Sequence, residues 1–169
     1  MKHYDAIIIG FGKGGKTLAG ELAKRGKKVA LIEKSNQMYG GTCINEGCIP
    51  SKSLIVQADT KEYLAAVEQK ENLITKLRQK NYDKLAQLDN VDIIDGTARF
   101  VDNYTVEIDG QKTIFADYIF INTGSKSDSI NSRNSRSQTY IYKCYNHERN
   151  NTPKELSNYW WWIYWFRTC

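Results

Sequence analysis

The sequence predicts an α/β domain in which a parallel sheet carries helices and ends in a small β-meander. Apolar runs at Tyr4 to Ile9 and at Lys28 to Ile32 flank a glycine-rich loop and a helical pattern, as buried parallel strands flank a crossover helix. From Val91 the apolar period changes to two, which is typical of short strands, and Asp109-Gly110 predicts a hairpin turn. Another apolar strand is predicted at Asp117 to Asn122.

The loop after the first strand has the pattern G-x-G-x-x-G and opens a helical pattern that a glycine ends. In this context the first glycine makes a tight turn, the second lets the backbone approach a pyrophosphate, and the last lets helix and strand pack closely. A glycine-rich turn alone is common, but strand, helix, second strand and a following acid together indicate a Rossmann-like dinucleotide-binding unit. The glycines concerned are Gly10, Gly12, Gly14 and Gly15.

The acid of this unit is Glu33, which stands at the end of the second strand. A carboxylate there accepts hydrogen bonds from the hydroxyls of the adenosine ribose. The neighbouring Lys34 is a further candidate contact to the cofactor. The alternative for Glu33 is a surface carboxylate at a strand end.

The most informative stretch is G-G-T-C-I-N-E-G-C-I-P-S-K, which ends at Lys52 and carries Cys43 and Cys48. Gly41 and Thr42 offer backbone N–H groups of the kind that approach a pyrophosphate. Two cysteines at this spacing can close a small disulfide if their Cα atoms fall inside the narrow disulfide window. Thiolates are stabilised at a helix N-terminus, so electrons could pass here between a bound cofactor and a dithiol. The alternative is two unrelated buried cysteines.

The pattern C-I-N-x-G-C-I-P-S-K resembles the redox-active disulfide signature of the pyridine nucleotide–disulfide oxidoreductases, which include dihydrolipoamide dehydrogenase, glutathione reductase and mercuric reductase. With GFGKGGKTLAGELA upstream and MYGGTC before the first cysteine, the chain is similar to the subgroup of reactive chlorine resistance flavoproteins and hypothiocyanous acid reductases. The likeness covers Met1 to about Gly124. The full-length family adds an NAD(P)H domain, a segment that completes the FAD site, and a dimerisation domain that makes it a homodimer. The resemblance therefore implies an incomplete FAD-binding domain.

The resemblance also implies roles for individual residues. Electrons would pass from NAD(P)H to FAD, then to a Cys43–Cys48 disulfide, and from the dithiol to a small-molecule disulfide or other oxidant. Cys48 would lie against the flavin, Cys43 would attack the substrate, and Lys52 would tune the flavin. A G-x-A-x-F stretch and a terminal T-G would contact the cofactor, largely through the backbone, although each is also ordinary turn chemistry. The positions concerned are Gly96, Ala98, Thr123 and Gly124.

Two other functions fit parts of the sequence. One is a non-catalytic remnant that binds no cofactor stably. The other is a simple NAD-binding Rossmann enzyme, which leaves the cysteine stretch unexplained. Because only one dinucleotide fingerprint is translated and neither His3 nor His147 stands in the family's catalytic context, we expect no appreciable NAD(P)H-dependent reductase activity from this chain alone.

Charge and composition disfavour several other classes of function. The net charge is +5, but most of it lies in residues 125–169, and no basic stripe interleaved with aromatic residues predicts a nucleic-acid partner. Two helices are predicted, at Ser51 to about Ala58 and at Thr60 to Leu88, and the Lys and Glu residues of the second form a solvated face.

No apolar run approaches eighteen residues and no signal-peptide pattern is present, so we expect a cytoplasmic protein with no membrane segment. No metal is expected, because Cys144, Cys169, His3 and His147 fit no zinc spacing.

Residues 125–169 are predicted to be a disordered, non-native tail that follows the FAD-binding domain of residues 1–124. They begin rich in Ser, Asn and Arg and contain all four tryptophans. Trp has one codon, TGG, so Trp160 to Ile163 read one base later gives three glycines, and Trp165-Phe166 gives a fourth. The shifted peptide is a second G-x-G-x-x-G, which indicates a frameshift. Pro153 to Leu156 resembles the family in the translated frame, so more than one indel is implied; a membrane or partner anchor is the alternative for the tryptophans.

Overall fold

The computed structural model describes residues 2–58 and 60–125 and places them in a six-stranded sheet with helices. The predicted tail lies outside the described residues, except for its first residue. The strands are β1 (Lys2–Ile9), β2 (Val29–Glu33), β3 (Val91–Asp95), β4 (Ala98–Phe100), β5 (Thr105–Ile108) and β6 (Lys112–Ile121). The helices are α1 (Lys13–Lys24), α2 (Thr42–Asn45), α3 (Cys48–Gln57) and α4 (Tyr63–Ala86), with one 3-10 turn at Asn36–Met38.

The strand order is β3-β2-β1-β6-β5-β4. Strands β3, β2, β1 and β6 run parallel, and β4, β5 and β6 form the antiparallel meander. The predicted α/β class is therefore confirmed. After β1 the chain builds outward to β2 and β3, and it then returns to the opposite side of β1 with β6. Ligands of open α/β sheets bind at such a reversal, outside the carboxyl ends of the strands.

Two parts of the sheet differ from the sequence prediction. The period-two segment that begins at Val91 opens with a parallel strand, β3, which pairs with β2 and lies apart from the meander. The strand predicted at Asp117 to Asn122 is the second half of β6, continuous with the segment before it. No glycine or proline interrupts β6, and its pairing with β1 extends from Ile114 to Ile121, so nothing ends the strand at Ala116.

Two buried clusters hold the sheet. One contains Ile8 and Leu31 with Ala19 of α1 and Leu85 of α4. The other is formed by strands alone and joins the parallel part to the meander; its members are Tyr4, Ile7, Ala30, Ile32, Val106, Ile108, Ile114 and Ala116. The predicted turn between β5 and β6 is confirmed, because Asp109 and Gly110 have φ values of 50° and 69°, as a type I′ turn requires. Because β1, β2, β3 and β6 are parallel, their carboxyl ends lie at one edge of the sheet.

The buried Tyr4 gives the domain a testable response to alkaline pH. Its hydroxyl donates a hydrogen bond of 2.6 Å to Asp92 Oδ2, and burial together with this bond raises the pKa of Tyr4 to about 12. The folded state therefore keeps a proton that the unfolded chain loses near pH 10. Since the folded state then binds more protons, the free energy of unfolding should fall as pH rises from about 10 to 12.

Tyr4→Phe should remove that part of the pH dependence and lower the free energy of unfolding at neutral pH by about 1 to 2 kcal/mol. Urea unfolding at several pH values measures both effects. Tyr104→Phe is the control, because the Tyr104 side chain is 62% exposed. Equal slopes of stability against alkaline pH for Tyr4→Phe and the unsubstituted chain would contradict the assignment.

Candidate dinucleotide site and cysteine pair

Glycine is required at two positions of the segment that comprises the loop after β1 and the first turn of α1. Gly10 has φ +109°, and a Cβ there would lie 2.2 Å from the carbonyl oxygen of Asn122. A Cβ on Gly15 would lie 2.1 Å from the carbonyl oxygen of Gly10. The tight turn and the close contact between helix and strand that the sequence predicts are both present.

Gly12 is the N-cap of α1, a helix of 12 residues, so the unpaired N–H groups of the first helical turn directly follow this loop. Such groups, together with the helix dipole, attract phosphate. The structure adds a second reason for glycine at Gly12. A Cβ at Gly12 would lie 3.1 Å from Asn122 Nδ2, so the missing side chain makes room for a protein amide as well as for backbone approach.

Glu33 lies at the carboxyl end of β2, where it bonds to the loop directly. Its Oε2 accepts a hydrogen bond of 2.8 Å from Phe11 N, and its Oε1 accepts one of 3.2 Å from Ser35 N. Carboxylate oxygens can accept more than one hydrogen bond, so both retain capacity for a ribose hydroxyl. Glu33 is half-buried at the strand end, and its role toward the ribose stays a prediction. The adjacent Lys34 is exposed.

The cysteine stretch lies directly against the glycine loop. Gly40 N donates a hydrogen bond of 3.1 Å to Phe11 O. Gly41 has φ +76°, and a Cβ there would lie 2.6 Å from the Cα of Gly12. Residues separated by almost thirty positions therefore meet backbone to backbone, and this contact places the start of α2 beside the start of α1.

Both cysteines are exposed free thiols. Thr42 and Cys43 open the single-turn helix α2, and Cys48 is the first residue of α3. Between them the chain folds back, since a Cβ on Gly47 would lie 3.2 Å from the Cα of Cys43. The residue before Cys48 thus contacts Cys43. The disulfide itself, and the roles of its two thiols, stay predictions. Lys52 is exposed and lies one helical turn after Cys48.

A polar network that the sequence analysis missed supports the cysteine stretch. Asn45 is buried, and its amide donates hydrogen bonds to Tyr39 O at 3.2 Å and Gly41 O at 2.9 Å. Arg78 of α4 donates from Nε to Asn45 Oδ1 at 2.6 Å. The position of Asn45 between the two cysteines was the available signal. Nothing in the sequence pattern pointed to Arg78.

Of the other residues predicted to contact the cofactor, three lie at the carboxyl edge of the parallel strands and one lies in the meander. Gly96 follows β3, has φ +146°, and donates from its N–H to Glu33 O at 2.9 Å. A Cβ there would lie 2.5 Å from Asp109 Oδ2, so the missing side chain makes room for the Asp109 carboxylate. Thr123 and Gly124 follow β6 at the same edge of the sheet, and Gly124 has φ +71°. Ala98 instead begins β4, in the meander.

The chemistry of these residues is compatible with FAD. The loop supplies backbone donors at a helix N-terminus, its only large apolar side chain, Phe11, is fully buried, and Lys13 at the start of α1 is exposed. An anionic diphosphate suits that surface. Within residues 2–58 and 60–125, no group of three His, Cys, Asp or Glu side chains could hold a metal ion. In the same ranges, the helices are too short or too polar to cross a membrane.

Comparison with known proteins identifies the family. Residues 4–156 match the pyridine nucleotide-disulphide oxidoreductase family. The probable pyridine nucleotide-disulfide oxidoreductase RclA of Escherichia coli K12 is 49% identical over 131 residues, which are 75% of this chain and 30% of that protein. A mercuric reductase of Lysinibacillus sphaericus is 34% identical over 141 residues, 73% of this chain and 25% of that protein.

A solved structure agrees with these sequence matches. The HOCl-induced flavoprotein disulfide reductase RclA from E. coli superposes with a TM-score of 0.81 at 43% identity, over 89% of this chain and 35% of that chain. The chain thus spans about a third or less of the length of these relatives. The family match continues past Gly124 to residue 156, and the domain boundary at Gly124 stays a prediction. The chain therefore belongs to the pyridine nucleotide-disulphide oxidoreductase family, as the sequence signature, the α/β fold and these matches all indicate.

Proposed function

We propose that this chain is the FAD-binding, dithiol-carrying portion of an NAD(P)H-dependent flavoprotein reductase. The observation that carries the proposal is the contact between the Gly41 turn and Gly12. It sets a Cys-x₄-Cys stretch directly beside a helix N-terminus suited to a diphosphate. The relative whose structure superposes on this chain is itself described as a flavoprotein disulfide reductase.

The residues of the chain divide the work of holding the cofactor. The N–H groups at the start of α1 and of the Gly41-Thr42 turn bind the diphosphate, and Glu33 accepts hydrogen bonds from the ribose. Gly96, Thr123 and Gly124 contribute backbone groups at the same edge of the sheet. When bound, FAD supplies the two-electron chemistry that connects a hydride donor to a dithiol. Lys52 supplies a positive charge one turn from Cys48.

The dithiol then reduces the substrate by thiol–disulfide exchange. The Cys43 thiolate attacks one sulfur of a small-molecule disulfide and forms a mixed disulfide as the first substrate thiolate leaves. The Cys48 thiolate attacks Cys43 Sγ, so a Cys43–Cys48 disulfide forms and the second substrate thiolate leaves. Two electrons have moved from the dithiol to the substrate, and each released thiolate takes up a proton.

We further propose that the chain alone lacks NAD(P)H-dependent reductase activity. It spans 30% of the length of RclA, and general acid catalysis requires an acid within hydrogen-bond reach of the reacting group. The resemblance assigns that acid, and the NAD(P)H domain, to parts of the family that have no counterpart among residues 1–124. A homodimer in the full-length family follows from the same resemblance.

The proposal is tested on the purified chain. After incubation with FAD and gel filtration, the protein should retain flavin absorbance. Oxidation with a small disulfide followed by peptide mapping should link Cys43 to Cys48, and Cys48→Ser should leave Cys43 as a mixed disulfide. NADPH and NADH should not be consumed. A chain that neither retains flavin nor forms the Cys43–Cys48 link would refute the proposed function. Steady NAD(P)H oxidation coupled to disulfide reduction would refute only the proposal that the isolated chain is inactive.

A further inference from the structure

Asn122 occupies an unusual position at the end of β6. Its backbone N–H donates a hydrogen bond of 2.8 Å to Ile9 O, which extends the β1–β6 ladder by one residue. Its side-chain Nδ2 donates a second hydrogen bond of 3.2 Å to Gly10 O. The residue is therefore held by the strand that precedes the glycine loop, and it bonds to the first residue of the loop.

All four glycines of the fingerprint, two in the loop and two in the first turn of α1, are crowded by this one residue. Ideal Cβ atoms would lie 3.1 Å from Asn122 Nδ2 at Gly12, 2.8 Å from Oδ1 at Gly14 and 2.9 Å from Nδ2 at Gly15. At Gly10 the obstacle is the main-chain carbonyl of Asn122, at 2.2 Å. The loop and the first turn of α1 thus rest on the Asn122 amide.

We propose that Asn122 is a positioning residue for dinucleotide binding. Its amide supports the glycine loop from the sheet side, and this support keeps the N–H groups at the start of α1 oriented toward the diphosphate. The inference rests on the proposed function, because it takes the loop to bind the diphosphate of FAD. It adds a requirement for a neutral donor at this position, since a carboxylate would face Gly10 O without a proton and would add negative charge beneath the diphosphate.

Asn122→Asp and Asn122→Ala test the proposal, with Asn90→Asp as the matched control. Asn90 also donates from its side-chain amide to backbone carbonyls, at 2.7 Å to Ala23 O and 2.8 Å to Lys27 O. It lies at the opposite, amino-terminal edge of the sheet, where it precedes β3. Loss of stability alone should therefore affect both positions, whereas an effect on ligand affinity should be confined to Asn122.

Two measurements on the full 169-residue chain separate the outcomes. The affinities for ADP and for adenosine are compared by calorimetry. Asn122→Asp should weaken the binding of ADP on the order of tenfold or more and change the binding of adenosine much less. Hydrogen exchange of residues 10–16 without ligand should become faster in Asn122→Ala than in Asn90→Asp. Normal exchange in the loop, or unchanged ADP affinity in both Asn122 variants, would overturn the proposal. If the unsubstituted chain binds neither FAD nor ADP, the cofactor-binding part of the proposed function fails, and the exchange measurement still decides whether Asn122 holds the loop.

Discussion

Gly15→Ala is expected to destabilise the domain by about 3 kcal/mol or more and to abolish FAD retention. The added Cβ would lie 2.1 Å from Gly10 O and 2.9 Å from Asn122 Nδ2. The first contact is with backbone, so no side-chain rotation relieves it. Either α1 must move away from β1, or the turn at Gly10 must open. Both changes disturb the N–H groups that would bind the diphosphate.

Gly20→Ala is the matched control for Gly15→Ala, because both glycines lie in α1. A Cβ on Gly20 would meet Leu85 Cδ2 at 3.6 Å, an ordinary contact. Alanine also favours the helix over glycine by roughly 0.5–1 kcal/mol, so this variant should be neutral or more stable. Urea unfolding followed by circular dichroism measures both variants. If the two changes cost the same, the tight contact between Gly15 and Gly10 is not important for stability.

Gly41→Ala is expected to separate the cysteine stretch from the glycine loop. The residue has φ +76°, and the added Cβ would lie 2.6 Å from the Cα of Gly12. Both effects oppose the native arrangement, and we expect a loss of about 2 to 4 kcal/mol with a large fall in FAD affinity. The Cys43–Cys48 link should also form less readily, because the N-terminal end of α2 would lose its support.

Gly26→Ala is the control for Gly41→Ala, because it introduces the same backbone strain without the steric contact. Gly26 has φ +75°, almost the same as Gly41, but a Cβ there would meet nothing within 4 Å. It should therefore show the strain alone, about 1 to 2 kcal/mol, with normal FAD affinity. The difference between the two variants measures the contact between the glycine segments. A Gly41→Ala chain that retains flavin as well as Gly26→Ala would contradict the proposed assembly of the site.

Much of the fold follows from local sequence. The strand, glycine loop, helix and second strand could be predicted because apolar period and glycine placement act over a few residues. For the same reason the turn at Asp109-Gly110 was predictable, since positive φ at both positions restricts the residues that can occupy it. The family could be recognised because the cysteine signature is short and contiguous.

The assembly of the site was decided only by the tertiary structure. The contact between Gly41 and Gly12, the bond from Arg78 to Asn45 and the support of the loop by Asn122 join residues far apart in the chain. The same is true of β3, which pairs in parallel with β2 although a long segment separates the two strands in the chain. Local pattern defines what each segment can form, but which segments meet depends on the packing of the sheet and helices. For that reason the sequence determined the glycines and cysteines of the site, and only the structure showed which residues hold them.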